Sequence, residues 1–457
     1  MRITEKLGNI KNMEVGVFEK DRIYFDENRI LPRIDDADEL IKELKKIHKP
    51  NERLNIKLFF TLEEDYNKFC DLNGTKLVNS AKLYLESPTK KMDKFYSNFT
   101  VKSLVEVFNF NQKLLGDSSL PALCYKEMFE IPLGNRREGL YKNHKVLQDK
   151  VIQKLIENDT QAVNFFNPNY FMKGLDYYKN DINSAYPYFL MQMLPCGEPL
   201  KEEPQGAHTA LYVIEESFTC APLTLYPQGG SGAEVDVKNR LTVVWSDDLK
   251  FRQKYFINYQ YRVLDKRYFR LRQLESNCAA IYKAKEEAPK GSLARKYYKY
   301  CLNIPIGVIG MLPHNKEDYG AIHPRSYYPI ASFVWMKERI RMLTYAYEIG
   351  IRNVISIATD EIDTFTPLDN YRFIHYSNKC GDFKCEYKED KSFLRGNLIF
   401  DSRNEEFDKH SGYSGTVEEI YNRTFGNNKY IKQLKQYNEL EKQAFNLVLD
   451  FYEKNRK

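Results

Sequence analysis

The sequence predicts an α+β fold with a strand-rich centre, and three observations carry that expectation. The run Asn353 to Phe365 places an apolar strand on each side of a Thr359-Asp360-Glu361 corner, the pattern of a buried β-hairpin. Residues 272–303 carry Leu, Ile, Tyr and Ala at helical intervals among many Lys and Arg, broken near Pro289-Lys290-Gly291 by a turn signal; this reads as a helical hairpin. Short strand-like runs and helical stretches are mixed through the first 170 residues, without an internal repeat.

Taken in order, residues 1–170 show strands at Glu14 to Phe18 and Leu54 to Thr61, and helices at Asp36 to Ile47 and Lys145 to Glu157, an α+β N-terminal domain. The basic aromatic segment Lys90 to Phe99 reads as a solvated loop rather than a single-strand binding element. From Leu175 the chain runs strand, turn, helix. The Gly- and Pro-rich stretch Pro204 to Gly232 then reads as a β-insertion with exposed loops. A helix at Ile330 to Tyr347 leads into the hairpin of the first observation, and the last 60 residues end in an amphipathic helix from Tyr430 to Tyr452.

A chain of 457 residues has room for two to four domains with real cores. Hydrophobic residues (42%) and charged residues (29%) are in ordinary proportion, whereas 34 Tyr and 28 Phe form an unusual aromatic load; such rings stack on bases as readily as they fill cores. A formal charge of +6, from 69 basic and 63 acidic residues, fits a phosphate-bearing partner but is a mild excess. Eight Cys without repeated spacing, and an N-terminus without the apolar core of a secretory signal, point to free thiols in a reducing cytoplasm. The longest apolar stretch, Tyr328 to Met336, is far short of a membrane span. His375, Cys380 and Cys385 stand at five-residue steps that do not match a zinc knuckle.

Three constellations carry chemistry. In Asp181-Ile182-Asn183-Ser184-Ala185-Tyr186-Pro187, followed by Pro195-Cys196-Gly197-Glu198-Pro199, an acid at a strand end precedes small and polar residues, which suits metal-bound phosphates approaching the backbone. Arg295, Lys299, Asn303 and Gly307 are spaced by four, so all project from one face of a helix as a cationic stripe that can hold a triphosphate. In Val354 to Asp363 an apolar strand delivers Asp360, Glu361 and Asp363 at its tip. Acids there can share two divalent ions with Asp181. The same apolar-acidic run also occurs in helicase ATPases, but those need a G-x-x-x-x-G-K-[ST] loop, which this sequence lacks.

The order and spacing of these strings resemble motifs A, B and C of family B DNA polymerases, and most closely those of the protein-primed phage branch. Against D-x-x-S-L-Y-P, Asp181, Ser184, Tyr186 and Pro187 match while Ala185 replaces Leu; the following P-x-G-E-P also recurs. Against K-x-x-x-N-S-x-Y-G, Lys299, Asn303 and Gly307 match while Ile304 and Ile306 replace Ser and Tyr. Against D-T-D-S the chain reads Ala358-Thr359-Asp360-Glu361, so the first acid is missing and the second remains. Glu361 and Asp363 are the candidates to stand in for it.

The resemblance implies a right-hand polymerase fold with an antiparallel-sheet palm, helical fingers and a small thumb, beside an α+β N-terminal domain in the position of a proofreading exonuclease. The implied division is 1–170 N-terminal, 171–271 palm with a β-insertion, 272–312 fingers, 313–395 palm and 396–457 thumb. It implies template-directed transfer of dNMP to a primer hydroxyl, on DNA or on a priming protein. Two Mg²⁺ or Mn²⁺ ions would be held by Asp181, Asp360 and the Ile182 carbonyl. Ser184, Arg295, Lys299, Asn303 and Gly307 would contact the nucleotide, with Tyr186 under the sugar as a barrier to a 2′-hydroxyl. Template, primer, dNTPs and a terminal protein are the implied partners, in a host cytoplasm and away from membranes. Residues 1–170 contain no D-x-E pair, so no 3′–5′ proofreading is expected. Only about fourteen residues, Pro313 to Ser326, stand where relatives carry a DNA-encircling hairpin. Two other readings stay open: a decayed polymerase fold serving as an accessory or defence protein, and a template-independent or primase-like nucleotidyltransferase.

Overall fold

The computed structural model describes residues 13–86 and 124–456, apart from 20–21, 26–29, 47–53, 61–62, 74–80, 126, 130–142, 159–162, 172, 224–232, 274–275, 291–292, 311–326, 396–397, 402–405 and 411–427. The segments Lys90 to Phe99 and Pro313 to Ser326 therefore lie outside the described residues. The chain divides into two compact units, residues 1–130 with 276–305 and residues 131–275 with 306–457.

In the first unit, β1 (Met13–Glu19), β2 (Arg22–Tyr24), β3 (Ile30–Pro32), β4 (Leu54–Phe60) and β5 (Ala81–Glu86) form one sheet in the order β3-β2-β1-β4-β5. The first three strands pair antiparallel, while β4 runs parallel to β1 and β5 parallel to β4. A parallel step needs a crossover, and α1 (Ala37–Lys45) and α2 (Glu63–Asn73) supply the two. Helix α1 is specified locally. The Asp36 carboxylate accepts from the Glu39 amide at 2.9 Å, acids occupy its first turn and Lys42 and Lys45 its last. Ala37, Leu40, Ile41 and Leu44 recur at helical spacing and join a core of Phe18, Ile56, Leu58, Phe60 and Phe69.

The second unit opens with α3 (Asn143–Gln148) and α4 (Lys150–Asn158), two helices where the sequence predicts one. Asp149 interrupts them, and its carboxylate accepts from the Val151 amide at 2.8 Å to start α4. There follow β6 (Asn164–Phe166), β7 (Gly174–Ile182), α5 (Ala185–Leu190), β8 (Met193–Leu200), β9 (His208–Ala221), β10 (Glu234–Trp245), α6 (Ser246–Tyr255) and β11 (Gln260–Gln273). The predicted helical hairpin, α7 (Cys278–Glu287) and α8 (Leu293–Ile309), belongs to the first unit up to residue 305; the second unit continues with the end of α8 and then α9 (Tyr328–Ile349), β12 (Val354–Ala358), β13 (Glu361–Thr364), β14 (Phe383–Arg395), β15 (Leu398–Asp401), β16 (Glu406–His410) and α10 (Asn428–Asn455).

An antiparallel seven-stranded sheet, β16-β15-β14-β7-β13-β12-β6, has β7 at its centre. A smaller antiparallel sheet runs β10-β9-β11-β8. Helix α9 is apolar around most of its circumference and correspondingly buried. Its Met342, Leu343 and Ala346 share a core with Ile182, Ile357 and Ile362 of the large sheet and Phe445 and Leu449 of α10. Among the described residues no helix is long and apolar enough to cross a membrane.

Candidate active site

Strand β7 carries Asp181 to the end of the central strand. Antiparallel register sets Asp181 opposite Glu361 of β13 on one side and opposite Lys384 of β14 on the other. The Ile182 amide donates to the Asp360 carbonyl at 3.0 Å, so Asp181 at the end of β7 and Asp360 in the turn before β13 lie one residue out of register. A strand residue's amide and carbonyl face the same neighbour; the Ile182 carbonyl is therefore turned toward the Asp360 side as well.

Asp360 owes its place to the corner before it. Ala358 pairs with Glu361, leaving Thr359-Asp360 as a two-residue turn. Thr359 adopts φ of 62°, a left-handed conformation that is an outlier for a β-branched residue. Its amide donates to the Val163 carbonyl at 2.8 Å, which pins the tip to the edge of the sheet.

The turn after Asp181 is held as firmly. Asn183 is fully buried: its amide donates to the Asp382 carbonyl at 2.8 Å, its side-chain amide to the Ser377 carbonyl at 2.7 Å, and its carbonyl accepts from Gly381 at 2.8 Å. Ser184 follows in a left-handed conformation (φ 53°, ψ 60°), and its hydroxyl does not cap α5. Gly381 takes φ of +87°, and a Cβ there would stand 2.1 Å from the Tyr188 ring. Only glycine fits that close approach.

Tyr186 is half-buried in the first turn of α5, which packs on α9. Its hydroxyl lies against Glu338, a residue of α9 that is 1% exposed. Burial first, then the charges of Glu338 and Asp360, push the Tyr186 hydroxyl far above its ordinary pKa. Burial likewise pushes the Glu338 carboxyl well up, and the Asp360 charge adds to it. Neither Glu338 oxygen has a well-formed hydrogen bond.

The acids expected to replace the one lost at Ala358 are engaged elsewhere. Glu361 shares the Asp181 face but is bound to Lys179 at 2.6 Å, an attraction that outweighs burial and raises the lysine's pKa. Asp363 is 1% exposed and accepts from the Ser356 hydroxyl. Lys384 stands 3.9 Å from Asp181 with both side chains substantially exposed.

On α8, Lys299, Asn303 and Gly307 form an exposed stripe while Tyr297, Cys301, Leu302 and Ile306 are buried, as the four-residue spacing predicts. A Cβ on Gly307 would meet nothing. Arg295 is occupied differently from that stripe: its guanidinium donates to the Lys285 carbonyl at 2.6 Å and to the Glu286 carboxylate at 3.1 Å, closing the α7–α8 hairpin. Arg295, Lys299 and Asn303 belong to the first unit, and Asp181, Ile182, Ser184, Tyr186, Gly307 and Asp360 to the second.

Sequence reasoning missed Glu338 and Gly381. The Lys337-Glu338-Arg339 run inside an apolar helix was the available signal for the first; nothing marked the second. Among the described residues no three His, Cys, Asp or Glu are grouped to hold a metal ion, His375, Cys380 and Cys385 included.

The two sheets, the central acid-bearing strand and its hairpin partner define a mixed helix and antiparallel-sheet fold of the DNA polymerase kind. The solved structures that share it include Phi29 DNA polymerase with primer-template DNA (14% identity, TM-score 0.53, 92% of this chain and 95% of that one) and the same polymerase with single-stranded DNA (13%, 0.55, 85% and 84%). Its orthorhombic crystal form matches at 13% identity and a TM-score of 0.52, over 89% of this chain and 90% of that one. No family model and no curated protein sequence matches the chain.

Proposed function

We propose that this chain is a DNA-directed DNA polymerase of the protein-primed family B type, adding dNMP to a primer hydroxyl and releasing pyrophosphate. The observation that carries the reading is the placement of Asp181 and Asp360 at adjoining strand ends, joined by the Ile182–Asp360 hydrogen bond, within the Asp-Ile-Asn-Ser-Ala-Tyr-Pro string. Phi29 DNA polymerase, with which the fold is shared, binds primer-template DNA and nucleotide substrates.

The donor set fits hard divalent cations: two carboxylates and the Ile182 carbonyl, all oxygen, suit Mg²⁺ or Mn²⁺. With no third acid grouped beside them, further ligands would come from water and the nucleotide's phosphates. Such ions, when bound, acidify the attacking hydroxyl and offset charge on the phosphoryl group. Asp181 and Asp360 hold that place. Ser184 contacts the triphosphate, Gly307 lines the nucleotide pocket, and the Tyr186 ring lies under the sugar; Lys299 and Asn303 are assigned to the nucleotide by their motif B string alone. Arg295 acts by bracing the hairpin that carries Lys299. In this reading the seven-stranded sheet is the palm, the α7–α8 hairpin the fingers and the C-terminal region the thumb. The N-terminal sheet is a relic of an exonuclease without its acid pair, and a terminal protein is a candidate primer.

The test incubates the protein with Mg²⁺ or Mn²⁺ and dNTPs on primed template, unprimed template and no template, beside D360A. Primer extension confined to the primed template and abolished in D360A is the expected result. Extension indifferent to D360A overturns the metal assignment, and equal synthesis without template favours a template-independent transferase.

A further inference from the structure

Among the described residues, the buried acids of the second unit other than Glu338 have well-placed cation or hydroxyl partners. Asp248 meets Arg252 at 2.9 Å, Glu216 meets Arg252 at 2.8 Å, Glu361 meets Lys179, and Asp363 meets Ser356. Glu338, 1% exposed, is buried like them, yet its one hydrogen-bonding contact, with the Tyr186 hydroxyl, falls short of a well-formed hydrogen bond, and neither oxygen has another. A carboxyl removed from water and held by so weak a contact destabilises the fold, so its presence is not explained by stability. The groups around it are Arg339 and two members of the proposed site, the Tyr186 hydroxyl and Asp360.

From this placement we infer that Glu338 is a positioning residue for Tyr186: it receives the tyrosine hydroxyl, fixes the ring against α9, and thereby sets the discrimination between deoxyribo- and ribonucleotides. The inference rests on the polymerase reading above. Tyr186 sits in the first turn of α5 with only part of its ring covered, so packing alone leaves it room to swing. A hydroxyl anchored from the buried helix removes that freedom, because a ring held at both ends keeps one plane under the sugar. Without the anchor the ring turns aside and a 2′-hydroxyl is admitted.

The test compares E338M and E338Q with the wild type and Y186A, reading the ratio of kcat/KM for a dNTP to that for the matching ribonucleotide on a primed template. Methionine keeps the volume and removes a buried, poorly paired acid, so E338M is expected to fold, and its thermal midpoint is measured beside the wild type's. It is expected to lower the ratio at least about tenfold, toward that of Y186A, whereas E338Q, which keeps an acceptor at the same place, stays within about threefold. In a Y186A background E338M should have no further effect, since two residues acting through one ring are not additive. An unchanged ratio in an active E338M enzyme, or a wild type that does not discriminate between the sugars, overturns this role and leaves the polymerase reading intact. Absence of any synthesis by the wild type overturns the polymerase reading and this role with it.

Discussion

Thr359 and Gly381 show how much of the site is decided by single backbone conformations. Thr359 holds φ of 62° with a branched side chain, a conformation that costs on the order of 1–3 kcal/mol. Glycine removes the strain but loses roughly 0.5–1 kcal/mol of unfolded-state entropy. T359G should therefore gain about 1 kcal/mol in denaturant unfolding, and a loss would mean that Thr359 side-chain contacts outweigh the strain. Gly381 is the opposite case. An added Cβ would strike the Tyr188 ring, and φ of +87° strains any other residue; G381A should lose roughly 3 kcal/mol, visible as a lower denaturant midpoint. At this scale the sequence was legible where a residue's chemistry is unusual for its place. Asp181 and Asp360 stand out in the sequence as acids at strand ends, and the structure puts them at the ends of adjoining strands. Glu338 was not, because reading it required knowing that α9 is buried on nearly every face and that Tyr186 packs on it. Arg295 showed the reverse error of scale: its spacing with Lys299 was read correctly, while its bonds to α7 depend on how the hairpin closes.

Helix periodicity gave the elements their identity, and α8 shows what it left undecided. The buried and exposed faces fall as the four-residue spacing requires, yet the glycine that ends the exposed stripe has no packing reason to be there. Since nothing surrounds a Cβ at Gly307, G307A should raise stability by about 0.5–1 kcal/mol through helix propensity. If the stripe faces the nucleotide, the same methyl should raise KM for dNTPs despite that gain; higher stability with an unchanged KM would place Gly307 outside the pocket. The junction of α6 with α9 offers a check that does not involve catalysis. Burial alone would raise the Asp247 carboxyl, but its hydrogen bond to Lys337 together with the charges of Lys337 and Lys250 outweighs burial and holds the pKa below the ordinary 3.8. A depressed acid stabilises the fold above its unfolded pKa and ceases to as pH falls through the folded value. Wild type should accordingly exceed D247N in stability at neutral pH and converge with it in acid. Of the N-terminal strands β1 and β4 were legible, but not β2, β3 or β5, nor the parallel steps from β1 to β4 and from β4 to β5. Register between distant segments depends on partners that local periodicity does not name.

At the scale of the whole chain, the division into units predicts which truncations fail. Residues 276–305 group with 1–130, although almost 150 residues separate the two stretches in sequence. Their contacts are specific: the Asn277 amide donates to the Met128 carbonyl at 2.8 Å, the Asn277 side chain to the Glu127 carbonyl at 3.0 Å, and Cys124, Met128, Tyr297 and Cys301 are all buried. Deleting residues 1–130 to isolate a minimal polymerase would thus uncover the inner face of the α7–α8 hairpin, at roughly 1.5–3 kcal/mol for each large apolar side chain returned to water. The truncated protein should lose more helical signal than the deleted helices account for and should bind a hydrophobic dye. A single change makes the same point with less disruption: Met128 is completely buried, and M128A should lose about 2–5 kcal/mol. If Lys299 and Asn303, which ride on the hairpin that Met128 supports, serve the nucleotide as proposed, M128A should also weaken nucleotide use under conditions where the protein is still folded. A truncated chain that keeps the full hairpin signal and its thermal midpoint would show instead that 276–305 stands without the N-terminal sheet. In that case an N-terminal deletion, rather than point variants, becomes the proper way to ask what residues 1–130 contribute.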